Sequence, residues 1–168
     1  MKIQISNLTD GIYYYDFTTT QNACGIVDQP IFSEPIYLKV TLQKLQQNFV
    51  LDISLQTIGS FCCDRCLKHF HSEITSNERF TYTINSDLGI IDKTDIRLIN
   101  PHTAEIDLKE DVREMLVLAI PQKILCSDEC KGICAGCGAD LNTETCRCQA
   151  AEMDPRWIEL KKLIKTTD

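Results

Sequence analysis

The sequence predicts an α+β protein: an antiparallel β-sheet or roll, one packing helix and a C-terminal cysteine-rich zinc-binding appendage. Three observations carry this expectation. Apolar residues alternate at strand period through much of the first hundred residues; the period becomes helical between 107 and 120; and six of the ten cysteines crowd into residues 126–148. The boundary implied is a β domain over 1–122, containing helix 107–120, followed by the appendage and a closing helix over 123–168.

The strands come first. Ile36, Leu38, Val40 and Leu42 share one face at period two, and after "QKLQQN" so do Phe49, Leu51, Ile53 and Leu55. Two such runs across a short polar turn read as a long hairpin with one wet side. A third run passes through Phe80, Tyr82 and Ile84, and a short strand is expected around Ile96–Ile99, ending at Asn100-Pro101. In "IDLKEDVREMLVLAIP" the residues Leu108, Val112, Met115, Leu116 and Ala119 form a helical stripe. Asp107 with Glu110 resembles a capping-box start, and Pro121 fits the stop. Farther on, "DPRWIELKKLIK" offers Asp154 as N-cap, Pro155 at the first helical position, and Trp157, Leu160 and Ile164 on one face. The acidic cluster in "LKEDVRE" reads as the solvated side of its helix.

The cysteines carry the chemistry. From Cys126 to Cys148 the pattern is C-x3-C-x3-C-x2-C-x8-C-x-C. Cys134 and Cys137 are followed by Gly138, as in a zinc knuckle, where a tight turn aims two thiolates at one centre; Cys146 and Cys148 lie near enough to complete four. A four-thiolate centre leaves no open position and holds structure rather than hydrolysing anything. Zinc can supply on the order of 10 kcal/mol to a segment this poor in apolar residues. Upstream, "CDRC" places Cys63 and Cys66 in a turn between strands; with Cys126 and Cys130 this pair can form a second centre. Spacing alone leaves the partition among the eight open, and leaves open whether Cys62 or Cys63 is the ligand. One or two Zn2+ per chain follow. Cys24 reads as a small buried residue, and His69, His71 and His102 as ordinary strand or surface histidines.

Other classes recede. The amino terminus shows no basic-then-apolar leader and no run approaches the length of a membrane helix; the expectation is a cytoplasmic protein that binds no membrane and keeps its thiols reduced. No phosphate-cradling glycine loop, G-x-S-x-G elbow or H-E-x-x-H helix occurs, so neither an enzyme nor a small-molecule substrate is expected. A net charge of −7 argues against a wholly cationic nucleic-acid coat, though a local basic face around Arg65, Lys68, Lys131 and Arg147, with Phe61 and Phe70 interleaved, would suit RNA or another partner. A thioredoxin-type redox pair wants its first thiol at a helix N-terminus, and no convincing helix follows "CDRC".

With these residues assembled, the chain resembles the YceD family, associated with accumulation of large-subunit ribosomal RNA in bacteria and plastids. The resemblance rests on "CDRCL" (63–67) after a hairpin, the "DLKEDVREMLVLAIP" helix, "LCSDECKGICAGCGADLN", "CRC" and "DPRWIELKKL". The first 60 residues fit only by their β pattern. It implies a noncatalytic factor in 23S rRNA accumulation, processing or large-subunit assembly, whose partner is that rRNA or a pre-ribosomal particle. A protein-binding adaptor for a ribosomal protein and a CxxC thiol oxidoreductase are the alternatives. Because some members lack most of the C-terminal cysteines, the resemblance also implies that the appendage is not the whole function.

Overall fold

The computed structural model describes residues 1–27, 31–32, 34–84 and 96–148; the expected helix beyond Asp154 lies outside them. Alternation does in space what it promises in sequence. Strands β1 (Lys2–Gln4), β2 (Gly11–Thr19), β3 (Ile36–Leu45), β4 (Asn48–Cys62), β5 (His69–Thr83), β6 (Ile96–Leu98) and β7 (Glu105–Asp107) precede one helix, α1 (Lys109–Leu118). The five-stranded sheet has the order β2-β3-β4-β5-β6, and β1 pairs with β7 in a separate two-stranded ladder. Pairing is antiparallel except between β5 and β6, which run parallel.

The register puts the apolar sets over one another: Leu38 faces Leu55, Val40 faces Ile53 and Leu42 faces Leu51. All six are buried, while Lys39, Asp52, Ser54 and Gln56 point to solvent. The sheet thus has one dry and one wet side, as an antiparallel sheet with cover on a single face should. The cover is thin: Ile3 of β1, Ile106 of β7 and the stripe Leu108, Val112, Met115 and Leu116 of α1 close the core. Ten residues are too few for a helix to persist alone in water, so burial of that stripe, roughly 1.5–3 kcal/mol for each large side chain, holds it.

Three expectations change. The chain is more sheet-dominated than an α+β reading, since its one described helix is short. That helix spans Lys109–Leu118 rather than 107–120, with Leu108 in the cap position and no side-chain cap. Asp107 is occupied as the last residue of β7, and its carboxylate accepts the Lys109 N–H at 3.0 Å instead of closing a capping box. Nor is the acidic face wholly solvated: Asp111 is fully buried. It accepts the Tyr82 hydroxyl proton and pairs with Arg97, whose guanidinium lies 4.9 Å from the Phe80 ring centre. Burial pushes the Asp111 carboxyl above its ordinary range and the Tyr82 phenol likewise. A hydrogen-bonded acid and arginine therefore pin α1 to the last strands of the sheet.

Candidate metal centre

The two long central strands converge on one turn. β4 ends at Cys62, β5 begins at His69, and "CDRCLK" runs between them. Strand alternation settles the Cys62-Cys63 doublet. Cys62 continues the wet face and is exposed, its thiol donating to the Leu67 carbonyl at 3.3 Å, whereas Cys63 points inward and is fully buried. In the turn, Leu67 N–H donates to the Cys63 carbonyl and Cys63 N–H to the Lys68 carbonyl, both at 2.9 Å, with Leu67 left-handed at φ 59°.

The same construction recurs in the C-terminal stretch. Gly138 N–H donates to the Cys134 carbonyl at 2.9 Å, Cys134 N–H donates to the Ala139 carbonyl at 2.8 Å, and Gly138 has φ 73°. In both turns backbone N–H groups donate to the first sulfur of the pair, those of Cys66 and Arg65 to Cys63 and those of Cys137 and Gly136 to Cys134. Each pair meets two more sulfurs. Cys63, Cys66, Cys126 and Cys130 gather in one cluster, and Cys134, Cys137, Cys146 and Cys148 in another, with all sulfurs of a cluster within 4.8 Å of each other.

Distances decide what such clusters can be. In the first, the Cys63–Cys130 and Cys66–Cys126 sulfurs are 3.9 and 3.6 Å apart. In the second, Cys134 lies 3.5 Å from Cys146 and 3.6 Å from Cys148, and Cys137 lies 4.0 Å from Cys146. A disulfide needs about 2.05 Å. A tetrahedral centre with metal–sulfur bonds of about 2.3 Å needs edges of about 3.8 Å. The spacing is that of metal ligands, and either cluster could hold an ion.

Electrostatics agree. Backbone N–H groups, that of Cys66 foremost, lower the Cys63 thiol to about 6, and those of Cys137 and Gly136 lower Cys134 to about 6. Neighbouring sulfurs push Cys126 and Cys148 up to about 12, led by Cys66 and Cys134 respectively. Cys137 is lowered as well, by the backbone N–H groups of Arg147 and Ala139, so the first cluster prepares one thiolate and the second two, while hydrogen bonds to neighbouring sulfurs hold Cys126 and Cys148 as thiols. A divalent cation would displace those protons.

The first cluster is bolted to the sheet. Asp64 N–H donates to the Ile124 carbonyl at 2.8 Å, and the Asp64 carboxylate accepts Ile124 N–H at 2.7 Å. Arg65 donates to the carbonyls of Cys130 (2.7 Å) and Asp128 (3.3 Å), while its own carbonyl accepts Ile133 N–H at 3.0 Å. Gly132, at φ 76°, passes so close that a Cβ would lie 3.0 Å from the Arg65 carbonyl oxygen. Asn142 donates to the Cys130 sulfur at 3.5 Å and accepts Lys131 N–H at 2.8 Å.

The basic residues expected to meet a partner are thus unequal. Arg65 is half-buried against its own chain. Lys68 and Lys131 are exposed and form no ion pair among the described residues. Arg147 is exposed and paired with Glu144 at 2.7 Å. None of His69, His71 and His102 belongs to either cluster, and Cys24 is buried in the core. Asn142 escapes a reading by spacing; Gly132, a glycine between two cysteine pairs, carries a signal in sequence, and Asp64 stands out there as a carboxylate presented by the turn beside Arg65.

Known proteins add the context. The chain is 27% identical over 155 residues to a chloroplastic large ribosomal RNA subunit accumulation protein, YCED homolog 1, of Arabidopsis thaliana, covering 77% of this chain and 48% of that protein. The Zea mays homolog of the same name is 29% identical over 143 residues, covering 68% and 49%. An uncharacterized protein of Mycobacterium leprae is 24% identical over 134 residues, covering 77% and 59%. The chain spans about half the length of the curated relatives it matches. No solved structure matches it. The family model described as large ribosomal RNA subunit accumulation protein YceD matches residues 51–164, from near the start of β4 through both cysteine clusters, and the chain belongs to that family.

Proposed function

We propose that the chain is a noncatalytic cytoplasmic factor that supports accumulation of 23S rRNA during processing or assembly of the large ribosomal subunit, stabilised by two Zn2+ ions. The observation that carries the metal is two closed four-thiol sets in which every sulfur lies within 4.8 Å of the others and the nearest pairs are 3.5–4.0 Å apart, without a free coordination position for chemistry. Cys63, Cys66, Cys126 and Cys130 would hold one ion, and Cys134, Cys137, Cys146 and Cys148 the other. Zinc is the fitting ion for a structural thiolate cage. Family membership carries the ribosomal role. Residues 1–122 would form the β unit and 123–168 the appendage fastened to it through the first centre. If the chain touches RNA directly, Lys68 and Lys131 are the two of the four expected basic residues that are exposed and form no ion pair among the described residues.

The test is to remove the protein from its cell and measure 23S against 16S rRNA, with sucrose-gradient profiles probed for the chain. Reduced 23S rRNA, restored by the wild-type chain, with the chain riding on incomplete large particles, is expected. An unchanged rRNA ratio overturns the reading. The adaptor alternative draws on the charge of −7, which suits a basic ribosomal protein better than a phosphate backbone. The oxidoreductase alternative draws only on the lowered Cys63 thiol, and that sulfur is buried away from any disulfide substrate.

A further inference from the structure

The wet face of the sheet is not uniform. Most of its charges have a counterpart: Arg79 and Asp52 form a two-pronged pair at 2.6 and 3.2 Å, and Lys39 stands opposite Asp16 in the β2–β3 register. The exception is a cleft of about 580 Å3 at the end nearest the CDRC turn. Tyr37, Gln56, Ile58, His71 and Glu73 line it, with Glu34 at its rim. Tyr37 is 56% and Ile58 44% exposed, an aromatic and an aliphatic side chain left open beside carboxylates, whereas the exposed Ile12 and Tyr14 of the same face lie opposite Gln43 and Thr41, toward the other end of β3. Gln56 donates to the Glu73 carboxylate at 2.6 Å, which fixes its direction but leaves its charge uncompensated. Neither Glu34 nor Glu73 has a cationic partner among the described residues.

We infer that this cleft is a docking site for a lysine- or arginine-rich segment of a protein partner. A long cationic side chain has an apolar stem and a charged head; Tyr37 and Ile58 offer the stem a surface and the ring a cation–π contact, and the two carboxylates receive the head. The same carboxylates repel a phosphate backbone, so the complementarity selects a basic polypeptide over RNA. The negative balance of the whole chain steers such a partner inward, and four-thiolate Zn2+ centres, each carrying about two negative charges, would add to it. The inference rests on the proposed ribosomal role only for where the partner comes from, not for its chemistry.

The experiment is an NMR titration of the purified full chain with acetylated hexa-arginine, in parallel with a twelve-nucleotide single-stranded RNA, at physiological salt. Peptide-induced shifts confined to the cleft strands around Tyr37, Ile58 and Glu73 are expected. Affinity should fall at least tenfold in E34Q/E73Q, remain within twofold in the control E110Q on α1, and exceed that for the RNA. Unchanged dispersion of the spectra in both variants shows that the fold survives. Absence of localised shifts, an equal loss in the control, or tighter binding of RNA at these residues each overturns the inference. Loss of the peptide site would leave the 23S rRNA test untouched, and an unchanged rRNA ratio would leave the cleft intact, so the two failures are separable.

Discussion

The two cysteine clusters are built from the same turn and differ in nearly everything around it. Each uses C-x2-C followed by a left-handed residue, Leu67 in one and Gly138 in the other, with the same pair of backbone hydrogen bonds. The first joins sulfurs up to 67 residues apart, between the sheet turn and the C-terminal stretch, and Cys63 and Cys130 are buried within it. The second closes over Cys134–Cys148, and Cys137, Cys146 and Cys148 are exposed. With metal bound, one ligand chemistry would do two jobs: across a long loop it would be a staple that removes chain entropy from the unfolded state, and across a short one it would substitute for a core that the segment lacks.

The largest effect should come from the staple. Cys63→Ser or Cys130→Ser should release one metal equivalent and give the greatest fall in melting temperature of any single change, because residues 123–148 are then tied to the CDRC turn by the hydrogen bonds of Asp64 and Arg65 without the metal. Cys137→Ser or Cys146→Ser should also release one equivalent yet leave the sheet's amide hydrogen-exchange protection unchanged. Equal damage from the two classes would break the comparison. Cys62→Ser should cost no metal at all.

The glycines sharpen the contrast. Gly132→Ala forces a left-handed backbone and a Cβ against the Arg65 carbonyl, and should destabilise by about 2 kcal/mol in urea unfolding. Gly138→Ala meets nothing within 4 Å and should show only the backbone strain, about 1 kcal/mol, confined to the outer segment. Asn142→Ala removes the hydrogen bonds to Cys130 and Lys131, worth about 1 kcal/mol. The smallest difference is one of access. In metal-free protein at pH 7, the Cys63 and Cys134 thiols, both near 6, are mainly thiolate. Peptide mapping after brief iodoacetamide treatment should nevertheless find Cys134 modified first, because Cys63 is shielded.

Much of this was legible in the residues. Period-two alternation locates β3 and β4 because one face of each is dry, and Leu108, Val112, Met115 and Leu116 mark α1 for the same reason. Strand β2 carries no such mark: its alternate residues Tyr13, Tyr15 and Phe17 are only half-buried, and Tyr14 between them is aromatic too. The burial of Asp111 is equally invisible locally, since its partners Tyr82 and Arg97 come from β5 and β6. Among the cysteines, spacing picks out the Cys134–Cys137 knuckle, but the grouping of eight into two sets depends on where β4 and β5 bring the CDRC turn. The Cys62-Cys63 ambiguity dissolves once β4 is known to run through Cys62, because alternation then sends the next side chain inward.

The most direct test is native mass spectrometry of the chain, purified without chelator, during timed exposure to EDTA. Two zinc ions per molecule at the start are predicted, lost in two phases, the faster one abolished by Cys137→Ser and the slower one by Cys63→Ser. Metal-free protein with quantifiable disulfides, or two ions lost in a single phase from both sites together, would contradict the account.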